Sequence, residues 1–485
     1  MFESIFEVVY KNAEKCPDKL CVADEEIAMS YSEYVSLSLK ISSLMLSLGV
    51  KKGDRVVVEA AQSTKYLALQ LGLQAIGAVF VPLEHSCGNQ KINNIAAVTE
   101  AKLIVTSTLK DERYLDIQEL YNRADCEHEY EIICMPNKND ISEILFSTGT
   151  TGKEKGIVIT NYNNIALAEN VMYGVEMKED NVELIPSPLN HSHALRSYYA
   201  NMLCAGSVVV LSGIMNLFGF FSCMEKYHVN SIDLVPSALS ILLRLSKGKL
   251  GEYKDTLRYI EFGSAPLMQA DKEVLKSLLP KTRLYNFYGS TESGRIAVYD
   301  FNSCLDKKGC IGKPTKNAEI FIVDDEHKII DSQSGKTGLL AARGKMNMSG
   351  YWRDEKETKN ALCNGVIYTN DEICFDSDGD IILFGRRGDV INVGGNKVSP
   401  DEIESIAKRI SCIADCACVP QFDEVKGSVP KLFVVIKTGF AFNAAEIRAE
   451  IAAAAEPYKV PAQVVEISEI PRTYNGKIIR RKLIQ

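Results

Sequence analysis

The sequence predicts an α/β protein. A large N-terminal domain, made of two parallel-sheet βαβ subdomains and a small β-rich subdomain, is followed by a small α+β C-terminal domain. Three observations carry this. The chain has 485 residues, too many for one hydrophobic core. Helical and strand periodicities alternate up to about residue 300, the rhythm of a parallel sheet. After residue 317 the pattern changes to short strands and Gly/Asp turns, and from 389 a new helix-and-strand unit begins. The domains are therefore placed at 1–385 and 389–485, with 386–388 between them.

The elements follow in chain order. Residues 30–48 carry apolar side chains at helical spacing, and Gly49 can cap the end. Residues 55–60 read as a strand, 66–76 as a helix and 78–81 as a short strand. Strand-like stretches recur at 207–211, 232–235, 258–262 and 283–287, with helices between them, such as 236–245. Residues 376–380, Asp-Ser-Asp-Gly-Asp, form a turn between strands. In the last unit 400–410 and 443–455 read as helices, and 416–419 and 431–437 as strands.

Composition excludes several classes. Hydrophobic content of 46% and charged content of 24% describe an ordinary globular chain. A net charge of −8 with no long basic run argues against a nucleic-acid partner. No apolar stretch approaches a membrane span. The opening residues, Met1-Phe2-Glu3-Ser4, lack a basic segment and an apolar signal core. Together with 14 cysteines this gives the expectation of a cytoplasmic protein with reduced thiols. Cys412, Cys416 and Cys418 are spaced C-x3-C-x-C with no histidine nearby, which favours buried structural thiols over a metal site.

Residues 146–156, Phe-Ser-Thr-Gly-Thr-Thr-Gly-Lys-Glu-Lys-Gly, are the strongest functional signal. Glycine lets the backbone turn tightly and present its N–H groups, and successive N–H groups make an anion-binding concavity. The hydroxyls of Ser147, Thr148, Thr150 and Thr151 add donors, and Lys153 and Lys155 add positive charge. Apolar runs on both sides make this a polar loop between buried strands, a phosphate cradle rather than a flexible linker. It is not the P-loop, because Gly149 and Gly152 are too close together and Glu154 follows Lys153.

Companion segments stand in order: Gly263-Ser264-Ala265-Pro266-Leu267; Asn286-Phe287-Tyr288-Gly289-Ser290-Thr291-Glu292; Asp371; Arg386 to Pro400; and Pro471-Arg472-Thr473-Tyr474-Asn475-Gly476-Lys477. In this order and spacing they resemble the core motifs of the adenylate-forming superfamily, which holds acyl-CoA synthetases, nonribosomal-peptide adenylation domains and beetle luciferases. The chain is most similar to the AMP-forming acyl-CoA synthetases.

The resemblance implies that a carboxylic acid and ATP give an acyl-adenylate and pyrophosphate, after which a thiol displaces AMP. The implied co-substrates are ATP, Mg²⁺ and coenzyme A, with an acyl carrier protein as the alternative acceptor. Loop residues Ser147, Thr148, Gly149, Thr150, Thr151, Gly152 and Lys155 would hold the outer phosphates. Ser264, Ala265, Pro266, Asn286, Phe287, Tyr288, Gly289, Ser290 and Thr291 would surround the nucleotide, with Tyr288 stacked on adenine. Thr291 would meet the α-phosphate, and Glu292 would hold Mg²⁺. Asp371 would accept the ribose hydroxyls, and Arg386 would reach the ribose. Lys477 would enter from the C-terminal domain and bridge the acid and the α-phosphate. Without the resemblance, Lys477, Arg480, Arg481 and Lys482 would read as a solvated basic tail. Gly388 stands at the hinge of a mobile C-terminal domain, and Gly394 and Gly395 would line the coenzyme A tunnel. The chain departs from the family at Glu154, usually proline, and at Gly388, usually Asp or Lys.

The acyl pocket falls on residues 186–199. His191 would close it, with His193 and Arg196 behind, and Gly263, Ser264 and Gly289 would leave room for a medium acyl or aryl group. No acidic residue lies between 184 and 199, which disfavours an amino-acid substrate. Arg196 could read a second carboxylate, or be a surface arginine. Rivals to a coenzyme A ligase are a carrier-protein ligase, a luciferase-like oxygenase and a non-catalytic nucleotide-binding regulator.

Overall fold

The computed structural model describes every residue except 1, 86, 108–113, 133–134, 149–153, 331–334, 394–395, 424–426, 473–477 and 485, together with the side chains of 147, 148, 392, 397 and 427. Three sheets organise the chain. The first 15-stranded sheet has a parallel half, running through Leu20–Ala23, Ser207–Val210, Val182–Ile185, Ser231–Leu234, Tyr259–Phe262 and Arg283–Ser290. An antiparallel half follows through Gly294–Asp300 and Cys310–Pro314 to Ile381–Arg386, Val366–Phe375, Thr337–Gly344, Ala318–Val323 and Ile329–Ile330. The β-rich subdomain is thus joined edge to edge with a parallel one, which spares both an exposed edge.

The second sheet has seven strands, in the order Gly350–Tyr351, Glu154–Thr160, Ile141–Thr148, Val79–Leu83, Arg55–Glu59, Leu103–Val105 and Tyr114–Leu115. The largest core lies between these sheets. It takes Val56 and Phe80 from one, Val22 and Val208 from the other, and helices Tyr31–Ser47, Thr64–Ala75 and Ser192–Leu203 between them. Local signals place the helix ends. Ser30 and Glu33 form a reciprocal capping box, and Gly49 follows the end of the same helix at φ +79°.

The C-terminal five-stranded sheet centres on Ile413–Asp423 and Gly427–Ile436, backed by helices Pro400–Ala407 and Ala444–Ala454. The first helix stops three residues before the end its sequence predicts. The strand predicted at 416–419 extends over Ile413–Asp423. Cys416 and Cys418 alternate inward in it and are fully buried; burial pushes the Cys416 thiol up to about 12. Cys412 is half-buried. Among the described residues, no helix is long and apolar enough to cross a membrane.

Candidate active site

The hairpin Arg283–Ser290/Gly294–Asp300 is the centre of the site. A register shift at Tyr288/Gly289 breaks the ladder, and Ser290 and Ser293 exchange side-chain hydrogen bonds to hold the tip that carries Thr291 and Glu292. The Tyr288 hydroxyl donates to the Asp371 carboxylate in a short hydrogen bond. Asp371 stands opposite Arg386 on paired strands, and Arg386 Nε lies 3.3 Å from Asp371 Oδ1. Burial first, then the Asp371 charge, holds the Tyr288 phenol well above its ordinary value, so it stays a donor. Strands far apart in sequence thus bring Tyr288, Asp371 and Arg386 together.

A second line runs from the same tip. Tyr351 Oη donates to Glu292 Oε1 at 3.1 Å, and the Met348 N–H donates to the Glu292 carbonyl at 2.8 Å. Lys155 Nζ lies 5.0 Å from the centre of the Tyr351 ring and 2.5 Å from Glu357 Oε2. The strands Ile141–Thr148 and Glu154–Thr160 pair up to Thr148↔Glu154, so the predicted loop does connect two strands of one hairpin. Residues Gly149, Thr150, Thr151, Gly152 and Lys153 lie outside the described residues, as do the side chains of Ser147 and Thr148. Glu154 is held by Lys91 Nζ at 2.9 Å, and Lys91 also meets Glu84 at 3.2 Å. Glu154 and Lys155 point to opposite faces of their strand, so an ion pair pins the loop's exit on each face.

The remaining positions predicted to surround a nucleotide separate into two groups. Ser264, Ala265 and Pro266 are exposed at the end of the Tyr259–Phe262 strand, with Ser264 at φ +70°. Asn286 and Phe287 are buried. The Phe287 ring packs under the Arg295 guanidinium at 4.7 Å, so only its backbone is available to a nucleotide. Gly388 takes φ +93° with open space around its α-carbon. Lys477, Gly394 and Gly395 lie outside the described residues.

The flanks of Lys477 are firmly held. Arg472 pairs with Asp415 at 2.8 Å, and Arg480 pairs with Asp401 at 2.6 Å and Glu404 at 2.7 Å while donating to the Cys418 carbonyl. Arg480 is mostly buried, so it is not the solvated tail its sequence suggests.

The acyl-pocket expectations need correction. Arg196 is neither at the surface nor open to a substrate: it is 1% exposed. Its Nη1 donates to Asn164 Oδ1 at 2.6 Å, and its Nη2 lies 2.6 Å from the fully buried Glu143 without hydrogen-bond alignment. Helical spacing explains this, since Arg196 falls on the inward face of the Ser192–Leu203 helix beside Tyr199. The small side chains do not leave room either. A β-carbon on Gly263 would sit 2.5 Å from His193 Cε1, and one on Gly289 would overlap the Gly294 carbonyl. Neighbours already use both spaces. His191 stands at the N-cap position of the same helix, without a side-chain capping hydrogen bond, and is half-buried.

Sequence reasoning missed four residues here. Glu183, Asp233 and Glu261 sit on adjacent strands and, by register, on one face; all are fully buried. Burial, then the Glu261 and Asp233 charges, raises Glu183 well above the carboxylate range. Arg295 Nη1 donates to Glu261 at 2.9 Å. A signal existed: each acid stands between apolar residues of a strand, in Val-Glu-Leu, Ile-Asp-Leu and Ile-Glu-Phe. Window-by-window reading kept them apart.

A family model described as "AMP-binding enzyme" matches residues 9–352, and one described as "AMP-binding enzyme C-terminal domain" matches 402–477. The chain belongs to the AMP-binding enzyme family. Within that family it is similar to 4-coumarate–CoA ligase 1 of Petroselinum crispum, 26% identical over 98% of this chain and 92% of that protein. It is equally similar to 4-coumarate–CoA ligase 3 of Arabidopsis thaliana, 26% identical over 96% of this chain and 88% of that one. The fold matches ATP-bound MatB from Rhodopseudomonas palustris with a TM-score of 0.88 at 21% identity, over 100% of this chain and 98% of that one. It also matches O-succinylbenzoate coenzyme A synthetase (MenE) from Bacillus subtilis in complex with AMP, with a TM-score of 0.85 at 21% identity, over 99% and 98%.

Proposed function

We propose that this member of the AMP-binding enzyme family is an AMP-forming acid–thiol ligase that activates a carboxylic acid with ATP and transfers the acyl group to coenzyme A. The observation that carries this is the convergence of Tyr288, Asp371 and Arg386 beside the Glu292–Tyr351 and Lys155 line. Relatives named as CoA ligases across nearly the whole chain support the choice of acceptor.

In step one a carboxylate oxygen attacks the α-phosphorus, the bond to the bridging oxygen breaks, and pyrophosphate leaves with the electron pair. Two anions must meet, so the protein supplies positive charge and position more than acid–base work. The loop at 147–152 and Lys155 cradle the outer phosphates. Asp371 and Arg386 hold the ribose, and the Tyr288 ring stacks on the base. Lys477 steadies the carboxylate against the α-phosphate. Glu292, an oxygen donor at the hairpin tip, suits a hard cation such as Mg²⁺, which when bound neutralises charge on the leaving phosphates.

In step two the thiol gives up its proton to water and its sulfur attacks the acyl carbon, the acyl–oxygen bond breaks, and AMP leaves with the electron pair. The C-terminal domain turns about Gly388 between the steps, bringing Gly394 and Gly395 to the thiol's path. Its left-handed backbone costs glycine little and other residues about 1 kcal/mol or more.

Pyrophosphate release across a panel of carboxylic acids, with and without coenzyme A, tests this. Acid-dependent release, with thioester formed only when coenzyme A is added, is expected. No acid-dependent pyrophosphate with any acid would refute it, and thioester formed only on a carrier protein would change the acceptor.

A further inference from the structure

Lys155 is the second residue of the strand Glu154–Thr160. Alternation along that strand turns it toward Tyr351 and Glu357, while Glu154 turns toward Lys91. Tyr351 and Glu357 come from one segment. Gly350 and Tyr351 pair with Val158 and Ile157, the Trp352 N–H donates to the Gly156 carbonyl at 2.7 Å, and the Tyr351 N–H donates to Thr358 Oγ1 at 2.9 Å. The backbone therefore docks this segment on the strand without help from the Lys155–Glu357 ion pair.

Glu357 is held in its own right. The Asp354 side chain caps the helix Glu355–Ala361 by accepting from the Glu357 N–H at 3.1 Å. One Glu357 oxygen meets Lys155 Nζ at 2.5 Å, and the other accepts from Asn360 Nδ2 at 3.4 Å.

The place of this ion pair matters more than its strength. Lys155 lies over the Tyr351 ring, and the Tyr351 hydroxyl donates to Glu292, so the pair borders the hairpin tip of the site. Both side chains are open to solvent, Lys155 21% and Glu357 37% exposed, so an anion in solution can reach them. An ammonium has three donors and can meet two anions at once. A phosphate and the Glu357 carboxylate sharing it would stand side by side and repel. A polyphosphate that takes Lys155 therefore displaces Glu357, and the carboxylate is placed to return when the polyphosphate leaves. AMP, which lacks the outer phosphates, makes no such demand.

We propose that Glu357 is a resident anion of the polyphosphate site. It holds Lys155 before nucleotide binds, gives it up to ATP and takes it back as pyrophosphate departs, which weakens the binding of both and favours release of the product. This rests on the role proposed above for Lys155 at the outer phosphates.

Isothermal titration of the full chain with Mg²⁺–ATP, Mg²⁺–pyrophosphate and AMP, without acid so that nothing turns over, tests the exchange. Glu357→Gln should lower the Kd for ATP and for pyrophosphate by about two- to fivefold, the scale of a part-exposed ion pair, and leave the Kd for AMP unchanged. Glu357→Ala should act in the same direction. The gain should shrink in high salt, because it comes from charge. Glu355→Gln removes the same charge from an exposed position of the same helix and should change none of the three. Lys155→Met should weaken ATP and pyrophosphate but not AMP. If it does, and the Glu357 variants bind polyphosphate as wild type does or more weakly, the exchange is overturned and the role of Lys155 stands. Equal tightening of AMP, or of polyphosphate by Glu355→Gln, overturns it as well. Unchanged ATP and pyrophosphate binding in Lys155→Met overturns the role of Lys155 and the exchange together.

Discussion

Replacing Arg196 with methionine separates a structural arginine from one that reads substrate. The guanidinium is 1% exposed, and its partner Glu143 is fully buried with Tyr199 Oη donating to it at 2.8 Å. Methionine keeps much of the volume but leaves the Glu143 charge uncompensated in the interior. Loss of one partner of a buried pair costs about 3–5 kcal/mol, a large share of the stability of a typical domain. Replacing both, as Arg196→Met/Glu143→Leu, removes the stranded charge and should recover most of that loss. Urea unfolding of the full chain, followed by tyrosine and tryptophan fluorescence, reads the midpoint shift, and pyrophosphate assays below the transition read the KM for the acid. The single variant should unfold at much lower urea with the acid KM within about twofold of wild type, since no reacting group is touched. A variant of unchanged stability with a raised KM confined to one acid would show that Arg196 reads substrate after all.

Other outcomes follow from the same geometry. Asp371→Ala should raise the KM for ATP by roughly 10- to 100-fold, the value of hydrogen bonds to a charged acceptor, with the acid KM little changed. Burial, opposed by the Arg480 charge, pushes Glu404 up to about 7, above an unfolded value of about 4.3. Stability from this group is therefore full below about pH 4.3 and falls as pH rises to about 7, by on the order of 3 kcal/mol. Glu404→Gln should flatten that slope in urea midpoints measured against pH, and an unchanged slope would refute the assignment. Iodoacetamide at neutral pH should label the exposed Cys126, Cys304 and Cys363 quickly and spare Cys416 and Cys418 until the chain unfolds, as peptide mass spectrometry would read.

Much of the fold was legible because its signals are local. Gly49 after the apolar run of 30–48, Asp376 to Asp380 and the polar loop between two apolar runs each dictate a cap, a turn or a hairpin within a few residues. The residues that converge at Tyr288, Asp371 and Arg386 were legible for another reason: their segments stand in a fixed order along the chain. The buried cluster against the Ser192–Leu203 helix was not. Asp233 and Glu261 reach His193 and Ser197 from strands 40 and 64 residues away, and only strand register puts them on one face. Arg196 misled because charge alone suggests a surface, whereas its helical phase turns it inward. Glu154, unexplained by sequence, finds its partner in Lys91 on the helix Asn89–Thr99.

The central claim is that the acid's own oxygen attacks the α-phosphorus. An acid labelled with ¹⁸O in its carboxyl group, turned over with ATP, Mg²⁺ and coenzyme A, tests this directly by mass spectrometry of the nucleotide product. AMP carrying one ¹⁸O, with unlabelled pyrophosphate, is the predicted result. Label in a released phosphate, or ADP in place of AMP, would contradict it.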